Sequence, residues 1–209
     1  MLILALGAAS VSAWAGPQCE PSAAPSRDPG APQTYVVIET AYGRVVAEVF
    51  TVAAPLTAAN FLRYVDAGRY KDATFYRAVR PDNNKLSTTT VVIQGGIDPT
   101  VRHPPLPPIA HETTAMTGLR HLDGTLLMAR WEPGTAASEF AILIGDNPEM
   151  DFGGRRSGDG QGFAAFGRVV EGMEVVRKIN AGPTDGATTN DYMKGQALTK
   201  PVALRIARC

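Results

Sequence analysis

The stretch FYRAVRPDNNKLSTTTVVIQGG, residues 75–96, holds the side chains best suited to chemistry. Period-2 alternation along its first strand puts Phe75, Arg77 and Val79 on one face. A guanidinium among apolar neighbours is open to three roles. It snorkels at a rim, it is ion-paired, or it is presented to a ligand. The next apolar run ends in Gln94, Gly95 and Gly96. An amide offers neutral hydrogen bonds, and paired glycines let another backbone come close.

Other chemistries find less support. Ser138 lacks the G-x-S-x-G elbow of a nucleophile, and neither cysteine, Cys19 or Cys209, has the setting of one. His103, His111 and His121 fall neither at i, i+4 on one helix nor in an HExxH pattern, so no metal site is expected. The GDGQG run resembles a phosphate loop in composition only. It lacks the Lys-Ser/Thr pair and leads into a strand. The acids between Asp146 and Asp151 miss the spacing of a calcium loop. No cofactor is called for.

The elements that position these residues are short. YVVIET (35–40) and RVVAEVF (44–50) flank a Gly-containing turn and read as a hairpin. APLTAANFLRYVDAGRY has helical period, with Pro55 in its first turn and Gly68 as a stop. Strands follow at 73–80, 88–97, 121–131, 138–146 and 163–170, then a helix at 172–179 and a closing strand at 201–209. Residues 98–120 read as a long surface connection. About eight strands and two helices, without strand–helix alternation, exclude a parallel sheet. A mainly β fold is expected: a closed eight-stranded antiparallel β-barrel capped by two α-helices, which leaves no sheet edge open.

Composition bounds the rest. The 209 residues suffice for one well-buried domain, expected over 34–209. Twenty basic residues balance twenty acidic ones, which removes the electrostatic case for nucleic acid or an acidic membrane surface. Residues 1–15 resemble a secretory signal: an apolar run, then Ala13-Trp14-Ala15 as a small-x-small cleavage site, although a charged n-region is missing. The apolar run is too short for the ~20 residues of a membrane span. Residues 16–33 read as a flexible Pro/Ala-rich leader. A periplasmic or secreted protein is expected. Export would permit a Cys19–Cys209 disulfide, since first and last barrel strands can be neighbours; two unpaired ends are the other reading.

Five segments occur in a telling order: FYRAVR, VIQGG, GTLLMAR, SEFAILIG and FAAFGRVVEGMEVV. From Tyr35 to about Ala207 the chain resembles the cyclophilin family of peptidyl-prolyl cis–trans isomerases. The PDNNKLSTTT insert looks like a variant of bacterial members. The resemblance implies a catalytic role for Arg77 and a substrate-holding role for Gln94. It also implies a pocket flanked by Met128, Ala129 and Arg130, with Met150 at the place of a pocket leucine. The partners implied are proline-containing polypeptides; a monomer is expected, with neither nucleic acid nor, after signal cleavage, a membrane as partner.

Departures from the family pattern fall in the pocket. Tyr76 stands where a histidine is usual, and Val91 or Val92 stands for a phenylalanine. Ala141 stands for a second phenylalanine, Glu139 for a glutamine, Glu149 for a tryptophan and Phe163 for a histidine. Fully burying a Phe-sized side chain is worth ~1.5–3 kcal/mol, so a shallower pocket would hold proline less well. A peptide-binding, chaperone-like domain with weak or no catalysis is therefore the alternative expectation.

Overall fold

The structure is a computed structural model describing residues 26, 28, 32–98 and 104–209. Eight strands close into one antiparallel barrel. They are β1 (Thr34–Thr40), β2 (Gly43–Val49), β3 (Thr74–Val79), β4 (Val92–Gly96), β5 (Thr125–Met128), β6 (Phe140–Leu143), β7 (Ala165–Glu171) and β8 (Ala197–Arg208). Around the barrel the order is β1-β2-β7-β5-β6-β4-β3-β8. First and last strands are hydrogen-bonded, with Ile38 opposite Ile206. Among the described residues every strand thus has two neighbours, and no edge is left for foreign pairing.

Two helices close the barrel ends, as the sequence predicts. Helix α1 (Pro55–Asp66) follows the far end of β2. Its Phe61 is fully buried and packs against Phe140 at 5.5 Å and Phe166 at 5.0 Å between ring centroids. Such pairs add ~0.5–1.5 kcal/mol each beyond area burial. A single helical turn, α2 (Thr114–Thr117), interrupts the long connection that was expected to be irregular. Helix α3 (Met173–Asn180) lies at the other end. Its Val175 touches Gly43 in the β1–β2 turn, and Lys178 lies over the Tyr42 ring there. Val175, Val176 and Ile179 are the buried stripe, at helical spacing.

The amino end of α1 is capped from a distance. Ala54 at its N-cap offers no side-chain acceptor. The buried carboxylate of Glu112 supplies one, accepting from Leu56 N (3.1 Å), Thr57 N (2.6 Å) and Thr57 Oγ1 (2.6 Å). An anion at a helix start also complements the macrodipole. Part of the expected flexible leader is likewise fixed. Asp28 is buried and accepts from Val52 N (3.0 Å) and Ala53 N (2.8 Å), while Ser26 Oγ donates to Glu48. A polar Asx-type carboxylate can satisfy the free N–H groups of the turn after β2, which ties this part of the leader down.

The expected cleavage site and Cys19 lie outside the described residues. Cys209 is disulfide-bonded. Among the described residues no helix is long and apolar enough to cross a membrane.

Candidate active site

The alternation expected along β3 is broken by a β-bulge. Phe75 pairs with Gly95 and Arg77 with Gln94, so Tyr76 is the extra residue. Phe75 therefore points into the barrel core, while Arg77 turns outward with Val79. Arg77 and Phe75 do not share a face. A bulge re-aims a side chain by one pleat, which here delivers a guanidinium to the outer surface.

Arg77 is 7% exposed and is gripped by two amides. Its Nη1 donates to Gln94 Oε1 at 2.8 Å. Nε and Nη2 both donate to Gln196 Oε1, at 3.0 and 2.5 Å. Those contacts use three of the five guanidinium N–H groups, leaving one on each terminal nitrogen taken by neither glutamine. The Tyr192 ring, in a 3₁₀ turn at Asp191–Met193, covers the guanidinium at 4.7 Å. Burial lowers the Arg77 pKa, and Tyr192 opposes that shift. Arginine nonetheless stays cationic at any physiological pH.

Gln94 is itself held. Its Nε2 donates to Tyr76 Oη (3.0 Å) and to Glu139 Oε1 (3.1 Å), and Tyr76 donates to the same carboxylate oxygen. Burial raises the Glu139 pKa, against the opposing effect of its Tyr76 and Gln94 hydrogen bonds. The PDNNKLSTTT insert also serves this assembly. Asn83 O accepts from Gln196 Nε2 at 2.8 Å, so the loop steadies the residue that steadies Arg77. The two glycines after Gln94 meet neighbouring strands. A Cβ at Gly95 would lie 2.6 Å from Thr74 O, and one at Gly96 (φ +118°) would lie 2.4 Å from Ser138 O.

Arg77 and Gln94 open on a groove of about 790 Å³. Its apolar floor is Val92, Leu127, Ala141 and Met150, with Phe163 against them, backed by Val79 and Leu143 of the same cluster outside the barrel core. Of the predicted residues, Val92, Ala129, Arg130, Ala141, Met150 and Phe163 line the groove beside Arg77 and Gln94. Val91 does not, because it precedes β4, where its carbonyl accepts from Ile144 N. Met128 does not either. Strand alternation turns it into the barrel core and leaves that place to Leu127.

Arg130 lines the groove without offering it a donor. Nε bonds Gly162 O (2.9 Å), Nη1 bonds Trp131 O (2.9 Å) and Asp159 Oδ2 (2.7 Å), and Nη2 bonds Asp159 Oδ1 (3.0 Å) and Gly162 O. All five N–H groups are spent on the loop. These bonds hold the Asp159 carboxyl well below its ordinary range. What Arg130 presents is its flat face, 5.1 Å from the Phe163 ring centroid.

Sequence reasoning did not single out Gln196, Tyr192 or Asn83. They lie in loops or a 3₁₀ turn, far from Arg77 along the chain or in the insert, and no local pattern announces them. Tyr76 and Glu139 were visible as departures from the family pattern. Their mutual bond was not.

The comparisons with known proteins agree with this geometry. The family model described as cyclophilin type peptidyl-prolyl cis-trans isomerase/CLD matches residues 35–202. The chain is 32% identical over 177 residues to peptidyl-prolyl cis-trans isomerase A of Dickeya dadantii, covering 84% of each chain. It is 35% identical over 146 residues to peptidyl-prolyl cis-trans isomerase B of Escherichia coli, covering 69% of this chain and 82% of that one. A crystal structure of a Cryptosporidium parvum cyclophilin type isomerase superposes with TM-score 0.65 at 22% identity, over 85% of this chain and 98% of its own. The same isomerase in the presence of the dipeptide Ala-Pro superposes with TM-score 0.62 at 23% identity, over 83% of this chain and 97% of its own. Barrel, groove and sequence relatives coincide, and the chain belongs to the cyclophilin-type peptidyl-prolyl cis–trans isomerase family.

Proposed function

We propose that this protein is a peptidyl-prolyl cis–trans isomerase that accelerates folding of proline-containing polypeptides. Rotation about an X–Pro bond faces a barrier of ~18–20 kcal/mol from amide resonance. No covalent bond need be made or broken. A catalyst has only to bind the twisted amide better than either planar isomer. At the twist, conjugation is lost and the lone pair returns to the proline nitrogen. A guanidinium N–H aimed at that nitrogen then gains strength that it lacks in the ground state.

Arg77 suits this role because its plane is fixed by Gln94 and Gln196 before substrate arrives, while two N–H groups are taken by neither glutamine. The floor of Val92, Leu127, Ala141 and Met150 suits an apolar ring. The observation that carries the reading is this pairing of an anchored, outward guanidinium with an apolar hollow on one groove. The name of the C. parvum complex, with its Ala-Pro dipeptide, supports proline-containing peptides as the ligand class.

The test is cis–trans exchange of a proline-containing peptide, followed by two-dimensional NMR. Wild-type protein should accelerate it. Arg77→Ala should lower kcat/KM by about 10²–10³-fold, the usual cost of a lost transition-state donor. An undiminished rate would remove Arg77 from the mechanism.

We further propose export to the periplasm or beyond, from the apolar segment ahead of Ala13-Trp14-Ala15, and action as a monomer. Amino-terminal sequencing of protein recovered from the periplasm should begin at Gly16, and light scattering should return one chain. Pairing of Cys209 with Cys19 belongs to the same proposal. Non-reducing mass spectrometry should find no free thiol in the mature protein.

A further inference from the structure

A second guanidinium faces the groove without serving the charge balance of the fold. Arg156 Nε donates to Thr90 Oγ1 at 3.0 Å, and its Nη2 donates to Tyr192 Oη at 3.2 Å. Its Cζ lies 5.9 Å from the Phe163 ring centroid, beside the apolar floor. Thr90 is 1% exposed, so this anchor is built into the structure and does not flop on the surface.

The contacts use two of five N–H groups, and both acceptors are neutral. Neither Arg156 nor Arg77 takes part in an ion pair among the described residues. Two cations thus meet at one phenol, Arg77 against the Tyr192 ring and Arg156 on its hydroxyl, with no carboxylate in direct ion-pair contact with either among the described residues. Of the four acids that line the groove, Asp159 is engaged by Arg130 and Glu139 by Tyr76 and Gln94, while Asp98 and Glu132 form no ion pair with either arginine. The field is felt at Tyr192. Burial alone would raise the pKa of its phenol, yet Arg156 and then Arg77 bring it below its ordinary value.

We propose that Arg156 forms a carboxylate subsite of the groove, so that the enzyme favours polypeptides with Asp or Glu flanking the isomerised proline. A planar guanidinium with spare donors matches a carboxylate bidentately. In a half-buried groove such a pair is screened less than on open surface. The turnover readout rests on the isomerase reading; the binding readout does not.

The test uses C-terminally amidated peptides, so that only side chains carry charge. Glu, Ala or Lys is placed in turn at each position within two residues of a single proline. Exchange NMR gives kcat/KM, and chemical-shift titration gives Kd. Wild-type protein should favour Glu over Lys about tenfold at one position at least. The ratio should shrink as ionic strength rises from about 0.05 to about 0.5 M. In Arg156→Gln the Glu-to-Lys ratio, taken within the variant so that any general loss cancels, should approach one. A salt-insensitive or absent preference in wild-type protein would overturn the proposal, as would a preference that survives in Arg156→Gln. If no peptide is turned over, the isomerase reading fails, and the Kd ratios decide the subsite by the same criteria.

Discussion

Gln196 Oε1 accepts from both Nε (3.0 Å) and Nη2 (2.5 Å) of Arg77, from a residue 119 positions away. One oxygen between two donors sets the plane of the guanidinium, and Gln94 on Nη1 fixes its remaining edge. A flexible arginine would have to be ordered at each turnover, whereas this one is ordered by the fold.

Removing that acceptor should therefore cost rate more than binding. Gln196→Ala is expected to lower kcat about tenfold with little change in KM, a smaller loss than that of Arg77→Ala. Gln196→Glu, which keeps the acceptor oxygen but loses the donor to Asn83 O, should recover part of it. Exchange NMR at several peptide concentrations separates the two constants. Equal losses in both variants would make Gln196 a packing residue only.

Ala141 lies opposite Gln94 on the neighbouring strand, in the groove floor with Val92 and Met150. Its small side chain leaves the hollow wide. Ala141→Phe should supply an aromatic wall and tighten binding of a proline peptide about tenfold, in line with ~1.5–3 kcal/mol for a buried Phe side chain less the cost of ordering it. Titration of the variant beside wild type checks this.

Glu112 is the sole side-chain cap seen for the start of α1, among the described residues. Glu112→Ala strands the buried N–H of Thr57 and the part-buried N–H of Leu56. A loss of about 2 kcal/mol is expected, at the upper end for a helix cap, which corresponds to a fall of about 4–8 °C in Tm for a chain of this size. Calorimetry would read it directly.

Glu139 predicts a pH dependence of stability. Burial raises its pKa in the folded protein above the ordinary 4.5, so the folded state holds the proton more tightly than the unfolded chain. That contribution is full below 4.5 and is lost as pH rises through the folded value. Glu139→Gln, neutral at every pH, lacks this loss. In urea titrations the variant should gain on wild type as pH is raised from 4 to 7. A constant difference would place the carboxylate in a water-like setting.

Much of the architecture was legible in the linear chain. The β-branched runs YVVIET and RVVAEVF about a Gly-containing turn read as a hairpin, and Val175, Val176 and Ile179 recur as one face of a helix must. These signals are local, because each depends on neighbours within a few residues. Arg77 and Gln94 stood out by residue type, whereas Met150 and Phe163 were placed only through the family resemblance.

The tertiary structure decided where those side chains point. Period-2 reasoning sent Arg77 to the same side as Phe75, and only pairing of β3 with β4 and β8 made Tyr76 the odd residue that separates them. Register belongs to two strands at once, so one strand's sequence does not contain it. The same holds for Gln196, Tyr192 and Arg156. Their meeting with Arg77 and Thr90 is made by barrel closure, which brings together positions that no local pattern links.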